Sequence, residues 1–378
     1  MRSPPTARGV ALRALLQIDD GARANITVPE LLAASRLDRR DRNLVTELVY
    51  GACRMQRACD WLIGRHTRGR VDRDVRAALR LGAYQLGWTR IPSHAAVSET
   101  VSEVRGPGRS VVNAVLRRVA TDVDKGIVTW PDRATELSYP DWVVARLSAD
   151  LGRQPALEAL TAMNEPASAT VRADGYIQDR ASQMVAGHLQ RWAGRDVLDM
   201  CAAPGGKATG LAGDPDVVVA ADISLDRARM IRSNAIRLGT GSVATVVADG
   251  TAPPFRAARF DLVLVDAPCS GLGVLRRRPD ARWRVQPGDV ERLAGLQRRL
   301  LASAAALVRP GGVLAYCVCT LTSSETAAID RWCSGELAGF VPQAPPGGPW
   351  RPAGRGALLL PQAEGTDGMF LLVLRAPG

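Results

Sequence analysis

Two cysteines stand at positions where a thiol could take part in chemistry. Cys269 follows the apolar run 261–265 through Asp266-Ala-Pro, and Cys319 follows the apolar run 313–317. A thiolate is a strong nucleophile that can form a covalent intermediate with a substrate. A single buried cysteine is more often a small apolar core residue. Because both cysteines follow apolar runs, the pattern favours a reactive pair at one edge of a sheet.

A glycine-containing loop follows a third apolar run. The segment Cys201-Ala-Ala-Pro-Gly-Gly-Lys207 comes directly after the run 196–200 and precedes a predicted helix. Glycines at such a strand-to-helix turn let backbone N–H groups approach a ligand at the positive end of the helix. The spacing matches neither GxGxxG nor a P-loop, so we expect neither a dinucleotide nor a triphosphate.

Acids at the ends of further predicted strands extend this pattern. Asp222, Asp249 and Asp266 each follow such a strand, and the carboxyl ends of parallel strands line the ligand crevice of an open sheet. Asp222 is placed to accept hydrogen bonds from ribose hydroxyls, whereas Asp249 either accepts from an adenine amino group or anchors its own loop. Lys207 adds an ammonium group in a chain whose other lysine is Lys125. Together these residues predict a nucleoside pocket.

A nucleoside pocket beside two thiols suits methylation of carbon 5 of cytosine with S-adenosylmethionine (SAM) as the donor. This carbon is a weak nucleophile, but addition of a thiolate to C6 raises the electron density at C5. One cysteine attacks, and the second assists proton removal or product release. Asp266 is placed to hydrogen-bond N3 or the exocyclic amine of the base as charge develops.

The elements that position these residues fall into three segments. Apolar residues at helical spacing predict an all-helical domain over residues 1–125, and proline-interrupted helical patterns predict a connecting segment over 126–175. Residues 176–378 alternate short β-branched runs with helical stretches, which predicts an α/β domain with a seven-stranded, mostly parallel sheet. The predicted strands are Asp196 to Met200, Val217 to Ala221, Ala244 to Ala248, Phe260 to Val265, Val313 to Cys317, Ala357 to Leu360 and Met369 to Arg375. The proline- and glycine-rich stretch 342–356 is interpreted as a surface loop.

Composition narrows the class of protein and the partner. Residues 1–125 carry 22 Lys or Arg against 13 Asp or Glu, within a chain of net charge +11, so we expect RNA as the partner of a basic helical domain. The chain lacks an apolar run of about 20 residues and a signal-peptide pattern at its start, so we expect a cytoplasmic protein without a membrane span. Seven cysteines without a CxxC pair and three scattered histidines predict reduced thiols and no metal. We expect a monomer.

The motifs CAAPGGK, DLVLVDAPCSG, RRRPDARW and the YxxC strand end resemble the Sun (Fmu, RsmB-like) family of RNA cytosine-5 methyltransferases. The segments LVYGACR, ALRLGAYQL and VVNAVLRRVA resemble the NusB-like helical domain of that family. The resemblance implies a Rossmann-like class I SAM methyltransferase domain, small-subunit (16S) ribosomal RNA as substrate, Cys319 as the attacking residue and Cys269 in product release. It also implies that the following residues contact SAM or shape its site: Cys201, Ala202, Ala203, Pro204, Gly205, Gly206, Lys207, Asp222, Arg227, Asp249 and Asp266.

The chain departs from the family pattern at two places. The relatives' Thr-Cys-Ser is Val318-Cys319-Thr320 here, which removes a hydroxyl beside the thiol. Between Val171 and Gln178 a longer recognition segment of the relatives is nearly absent. A basic cluster after Cys269 either holds RNA phosphates near the active site or forms a solvated loop. Its members are Arg276, Arg277, Arg278, Arg282 and Arg284.

Three other functions remain open from the sequence. Transfer RNA is an alternative substrate, because an aromatic content of 4% offers no obvious stacking platform that reads a preferred sequence. A SAM methyltransferase acting on a protein or small molecule is a second alternative, although it would need no thiol adduct. A non-catalytic RNA-binding regulator is the third, and the cofactor loop with both cysteines argues against it.

Overall fold

The computed structural model describes residues 6–213 and 215–378. These divide into two units. The first holds the chain up to Ala145 together with Leu275–Arg284, and the second holds Arg146–Val274 and Val285–Gly378. The helical unit therefore continues past residue 125, the predicted end of the first domain, and it takes in a segment from the middle of the predicted catalytic domain. The predicted linker 126–175 contains three helices.

The first unit is helical because apolar side chains recur on one face of each helix and meet in a common core. Leu48, Leu62, Leu79 and Leu116 are fully or almost fully buried in that core. Gly82 permits a close approach of two helices, since a Cβ atom there would lie 2.3 Å from Leu116 Cδ1. The helices are α1 (Ala7–Asp19), α2 (Ala24–Ala34), α3 (Arg39–Arg54), α4 (Gln56–Gly64), α5 (Arg73–Trp88), α6 (Ser93–Ser102), α7 (Gly108–Asp124) and α8 (Arg133–Glu136).

The second unit contains a mixed β-sheet. Its strands are β1 (Asp196–Asp199), β2 (Val217–Asp222), β3 (Val243–Val247), β4 (Phe260–Asp266), β5 (Val308–Val318), β6 (Val341–Pro342), β7 (Arg351–Ala353), β8 (Gly356–Leu359) and β9 (Met369–Arg375). The order is β3-β2-β1-β4-β5-β9-β8-β7, and β6 pairs with β9. Strands β1 to β5 run parallel, whereas the pairs that involve β6 to β9 are antiparallel. The β1–β2 and β1–β4 pairs place the C-terminal ends of three strands side by side.

Helices complete the second unit and connect it to the rest of the chain. They are α9 (Asp141–Leu151), which begins in the first unit, α10 (Arg153–Ala162), α11 (Arg180–Leu189), α12 (Gly206–Gly210), α13 (Leu225–Leu238), α14 (Ala281–Arg284), which belongs to the first unit, α15 (Pro287–Ala305), α16 (Ala327–Glu336) and α17 (Pro361–Glu364). None of the described helices combines the length and the apolar composition of a membrane span.

The sheet differs from the prediction in its strand count. Nine strands lie within the described residues, not seven, because β6 and β7 occur in the stretch 341–353 that the sequence marks mainly as loop. Both strands are too short to show an alternating pattern in the sequence. Each is formed by pairing with a neighbour, β6 with β9 and β7 with β8. The seven predicted strands are all present, with ends that agree within a few residues except at β5, which begins earlier at Val308.

Candidate active site

The carboxyl ends of β1, β2, β4 and β5 meet at one edge of the sheet. Asp199 is in register with Ala220 of β2 and Leu264 of β4, and Asp266 is in register with Cys317 of β5. The predicted acids and the cysteine-bearing strand ends are therefore at one edge, where open α/β sheets bind their ligands.

The loop after β1 is fixed by backbone contacts. The Ala203–Pro204 peptide bond is cis, and Gly205 has φ = +102°, a conformation that favours glycine. Ala202 N donates to Ala221 O at 2.8 Å, and Asn234 Nδ2 donates to Pro204 O at 2.9 Å. These contacts hold the loop in a tight turn that leads into α12.

A short hairpin over residues 171–177 packs against this loop. Most of the hairpin lies within the connecting segment that was predicted from the sequence. Val171 and Ile177 form an antiparallel bridge, and Arg172 between them donates from Nη1 to Gly206 O at 2.5 Å. Arg172 Nη2 donates to Thr209 Oγ1 at 3.1 Å. A Cβ atom on Gly206 would lie 2.9 Å from atoms of Gln178 and Tyr176 in the same hairpin. The hairpin therefore limits both the position and the side-chain size of the loop.

Lys207, at the end of the loop, forms an ion pair with Asp266 at the end of β4. Lys207 Nζ lies 2.6 Å from Asp266 Oδ2, and Cys317 Sγ donates to Asp266 Oδ1 at 3.2 Å. Burial alone would lower the pKa of Lys207, but the Asp266 carboxylate, followed by Cys317 and Asp199, raises it above its ordinary value. Lys207 is therefore a permanent cation at this position.

Asp199 was not selected from the sequence, although it lies inside a predicted strand. Its side chain is fully buried, and neither carboxyl oxygen has a hydrogen-bond partner within the described residues. Burial, followed by the charge of Asp266, raises the pKa of Asp199 to about 8. A carboxyl group without a partner is costly to bury, so its position at the strand end indicates a ligand contact. Its position at the end of the predicted strand, directly after Val197 and Leu198, was the feature of the sequence that could have identified it as a site residue.

The other predicted cofactor residues lie at separate points of the rim. Asp222 is almost fully buried, accepts from Ser224 N at 3.0 Å and pairs with Arg227 Nη2 at 3.2 Å. Arg227 also donates to Ala203 O at 3.3 Å, so it links β2 to the loop. Asp249 accepts from both Thr251 N and Thr251 Oγ1 at 2.8 Å, and these bonds lower its pKa. Asp249 therefore anchors its own loop, which was one of its two predicted roles.

Cys269 and Cys319 are adjacent, with their Sγ atoms 3.3 Å apart, and both are free and half-buried. The hydrogen bond with Cys319, followed by burial, raises the pKa of Cys269 well above its ordinary value. Cys317 and Cys201 are less suited to attack. Burial raises the pKa of Cys317 far above normal and that of Cys201 to about 12. Cys269 and Cys319 are thus two partly exposed thiols in contact with each other at this edge, whereas the partly exposed Cys201 lies in the cofactor loop.

A buried polar network behind the cysteines was missed by sequence reasoning. Glu325 is fully buried and accepts hydrogen bonds from Ser270 and Thr320, the residues that follow Cys269 and Cys319. It lies in the polar run Thr322–Thr326, which has the composition of a surface loop. The sequence shows only that a glutamate lies six positions after Cys319, and nothing in that spacing predicts that its side chain is buried.

The basic cluster after Cys269 is mostly structural. Arg282 is fully buried in the helical unit, where Nη1 donates to Arg54 O and Ser138 O at 3.1 and 3.0 Å and the guanidinium stacks on Tyr139. Arg276 is also buried, and Arg284 pairs with Asp280 at 2.9 Å. Neither of the two interpretations from the sequence, RNA-phosphate contacts or a solvated loop, holds for Arg276 and Arg282, because both residues are buried inside the protein.

The described residues contain no cluster of three or more His, Cys, Asp or Glu side chains arranged to hold a metal ion. His66 pairs with Asp122 at 2.8 Å in the helical unit. His188 is buried on α11 against Trp192, where burial lowers its pKa.

Comparison with known proteins adds the following findings. The profile of the family described as 16S rRNA methyltransferase RsmB/F matches residues 188–375, and the NusB family profile matches residues 5–121. Ribosomal RNA small subunit methyltransferase B of Thermus thermophilus is 36% identical, over 98% of this chain and 98% of its own. The protein of that name from Pseudomonas syringae pv. tomato is 32% identical over 97% and 96%. A methyltransferase homolog of Pyrococcus horikoshii, 23% identical, resembles 66% of this chain and 100% of its own with a TM-score of 0.54, which concerns the fold alone.

Proposed function

The chain belongs to the 16S rRNA methyltransferase RsmB/F family, and from this premise we propose that it methylates carbon 5 of a cytosine in small-subunit ribosomal RNA through a Cys319 adduct. It is a SAM-dependent RNA methyltransferase with a NusB domain in front. The observation that carries the proposal is the 3.3 Å contact between two accessible thiols beside the cofactor loop. We further propose that it acts in the cytoplasm, as a monomer without a metal ion.

The rim of the sheet fits SAM. Asp199 has two buried oxygens without a partner among the described residues, which suits a neighbouring cation such as a sulfonium or ammonium group. Gly205, with φ = +102°, makes the turn that precedes α12, and the backbone N–H groups of such a turn can approach a ligand closely. Asp222 would hold the ribose, and the loop Cys201–Gly206 would face the rest of the cofactor. When bound, SAM supplies an electrophilic methyl group.

The residues of the chain prepare the cytosine to accept that group. The thiolate of Cys319 forms a bond to C6, which places electron density on C5. After C5 has gained the methyl group, the C5 proton passes to a water molecule. The electron pair of the C5–H bond re-forms the C5=C6 double bond as the C6–S bond breaks, and the sulfur of Cys319 leaves as a thiolate. Cys269, whose raised pKa keeps it protonated, is placed to donate a hydrogen bond to that leaving sulfur.

Asp266 has the position to orient the base. Each carboxylate oxygen has one partner, Lys207 or Cys317, and an ionised carboxylate accepts about four hydrogen bonds. The remaining capacity suits the exocyclic amine of cytosine or a protonated N3. The contact with Lys207 at 2.6 Å holds the Asp266 side chain in one orientation. This arrangement stabilises charge that develops on the base during attack.

The test is Cys319→Ala, with transfer of labelled methyl groups from SAM to small-subunit rRNA as the measurement. We expect activity to fall by at least about 10³-fold, because the adduct cannot form, while the Kd for SAM stays within twofold. Cys59→Ala, at a buried thiol of the helical unit, is the matched control and keeps its activity. Undiminished turnover by Cys319→Ala would overturn the assignment of the nucleophile.

Bisulfite sequencing of total RNA from cells with and without the gene identifies the substrate. We expect one or a few cytosines of small-subunit rRNA to lose their protection when the gene is deleted. Loss of protection at a tRNA position instead would replace the proposed substrate and keep the proposed chemistry.

A further inference from the structure

We propose that Glu325 is a positioning residue that holds the two cysteine-bearing loops in register, so that Cys269 and Cys319 reach the same pyrimidine ring. The reaction that this inference assumes is the one in the proposed function. The positioning role itself is argued from the buried hydrogen bonds of Glu325.

Five donors converge on the Glu325 carboxylate. Oε1 accepts from Ser270 N at 2.8 Å and from Gln297 Nε2 at 3.1 Å. Oε2 accepts from Ser270 Oγ at 2.5 Å, Thr322 Oγ1 at 2.8 Å and Thr320 Oγ1 at 3.0 Å. These contacts engage both oxygens of the carboxyl group and place it inside a closed polar network. A buried polar network whose members all have partners holds its side chains in one arrangement.

The donors belong to both cysteine loops. Ser270 follows Cys269 and is held by its backbone as well as by its side chain, whereas Thr320 follows Cys319. Ser270 Oγ and Thr320 Oγ1 also lie 2.8 Å from each other. The two loops follow β4 and β5, and Ser270 and Thr320 are 50 residues apart in the chain. The side chain of Glu325 therefore connects two segments that are distant in sequence.

Gln297 of α15 fixes the other side of Cys269. Its Nε2 donates to Pro268 O at 3.0 Å as well as to Glu325, so Cys269 lies between two tethered neighbours. Tyr316 OH, three residues before Cys319, lies within hydrogen-bond distance of Gln297 Oε1 at 2.9 Å and of Glu325 O at 2.7 Å. The network around Glu325 is therefore tied to the strand that carries Cys319 as well as to the loop that carries Cys269.

The reaction needs this precision because both thiols act on one ring. A displacement of about 1 Å in a reacting group can reduce a rate roughly 100-fold. Without the carboxylate, the hydroxyls of residues 270 and 320 would lose their common acceptor, and the two sulfur atoms could separate. The Glu325 network therefore acts on the rate of methyl transfer through Cys269 and Cys319, without contact with substrate.

The experiment compares Glu325→Gln with three single-hydroxyl variants: Thr320→Val, Ser270→Ala and Thr322→Val. Thr322 is the matched control, because its hydroxyl binds the same oxygen but its neighbours are not cysteines. We expect Glu325→Gln to lower kcat about 100-fold with the KM for RNA and the Kd for SAM within threefold. Thr320→Val should slow adduct formation about tenfold, and Ser270→Ala should prolong the adduct, while Thr322→Val changes kcat by less than threefold.

Two outcomes would overturn the inference. The first is a loss of kcat in all four variants that follows their loss of Tm, which is the result of a purely structural role. The second is unchanged kcat in Thr320→Val and Ser270→Ala. These three hydroxyl variants keep the inference testable if Glu325→Gln does not fold.

A second readout separates this inference from the proposed function. Alkylation of Cys269 and Cys319 by iodoacetamide, followed by peptide mass, needs no RNA and uses added glutathione as the internal reference. We expect Glu325→Gln to change the alkylation rate of both cysteines at least threefold relative to glutathione. Unchanged rates would refute the positioning role even if the enzyme methylates cytosine, whereas a wild-type protein that methylates no cytosine would refute only the proposed function.

Discussion

At the scale of single residues, the edge of the sheet concentrates charge that folding alone does not require. Asp199 and Lys207 are buried, Asp266 beside Lys207 is partly exposed, and the carboxyl group of Asp199 has no hydrogen-bond partner in the described residues. An unpaired buried carboxyl group destabilises a protein unless it stays protonated. Such an arrangement is typical of a binding site, where the ligand completes the electrostatics.

Asp199 makes the stability of the SAM-free protein dependent on pH. Its pKa rises from 3.8 to about 8 on folding, so the folded state binds a proton that the unfolded state releases above pH 4. Its contribution to the free energy of unfolding therefore falls between about pH 4 and pH 8, by roughly 6 kcal/mol at most. We expect Asp199→Asn to remove this decline. Urea unfolding at a series of pH values measures it.

Asp249→Asn is the control for this measurement. Asp249 is exposed, and its pKa is lowered by the bonds from Thr251, so its contribution is lost only as the pH falls through that lowered value. We expect the slope between pH 5 and pH 8 to match the wild type. Equal slopes in Asp199→Asn and the wild-type protein would show that Asp199 is not buried as an acid.

The sequence predicted those site residues that can be recognised from their immediate neighbours in the chain. The loop Cys201–Lys207 and the two cysteines could be found because glycines and thiols directly after β-branched runs lie where parallel sheets bind their ligands. Glu325 and Arg282 could not, since charged residues are exposed by default and only the tertiary structure buries them. For Asp249 the sequence left two roles open, and only the structure shows that its Oδ1 accepts hydrogen bonds within its own turn.

At the scale of elements, the short hairpin around Arg172 holds the cofactor loop in place. The sequence indicated only that a longer recognition segment of the relatives is nearly absent here. It therefore could not predict which contacts the remaining short segment makes. Arg172 is bound to Gly206 O, Thr209 and Asp174 and stacks on Tyr176, which makes it part of the loop's support. Strands β6 and β7 show the same limit, because short segments take their structure from neighbours.

Arg172→Ala tests this support. We expect the Kd for SAM to rise about tenfold, because the loop loses two donors and the stacked guanidinium, while the Tm changes by only a few degrees. Isothermal titration with SAM measures the effect. Arg195→Ala is the control, since Arg195 pairs with Asp216 in an exposed ion pair that contributes little. If both variants bind SAM like the wild-type protein, the hairpin does not support the loop.

At the scale of the whole molecule, chain order and folding units do not coincide. Residues 275–284 lie between β4 and α15 in sequence but belong to the helical unit. Arg282 shows why, because its guanidinium is fully buried among backbone carbonyls and Tyr139, and burial lowers its pKa to about 10. Both interpretations that the sequence offers for this arginine-rich segment, an RNA contact and a solvated loop, therefore fail for the part that is core.

Arg282→Ala measures the contribution of this segment to stability. We expect the free energy of unfolding to fall by about 2–4 kcal/mol, because a large buried side chain leaves a cavity and two carbonyls lose their donor. Arg278→Ala, at an exposed position of the same segment, should change it by less than about 0.5 kcal/mol. Equal effects of the two substitutions would contradict the structural role of Arg282. Thermal and urea unfolding provide the comparison.

The central claim is that the sulfur of Cys319 bonds to the pyrimidine while Cys269 serves its release. The most direct measurement incubates Cys269→Ala with SAM and small-subunit rRNA, separates covalent complexes on a denaturing gel and identifies the RNA-linked peptide by mass spectrometry. We expect a stable complex whose linked peptide carries the nucleotide on Cys319, and no complex in the double variant Cys269→Ala/Cys319→Ala. A nucleotide attached to another residue, or normal turnover without any complex, would contradict the account.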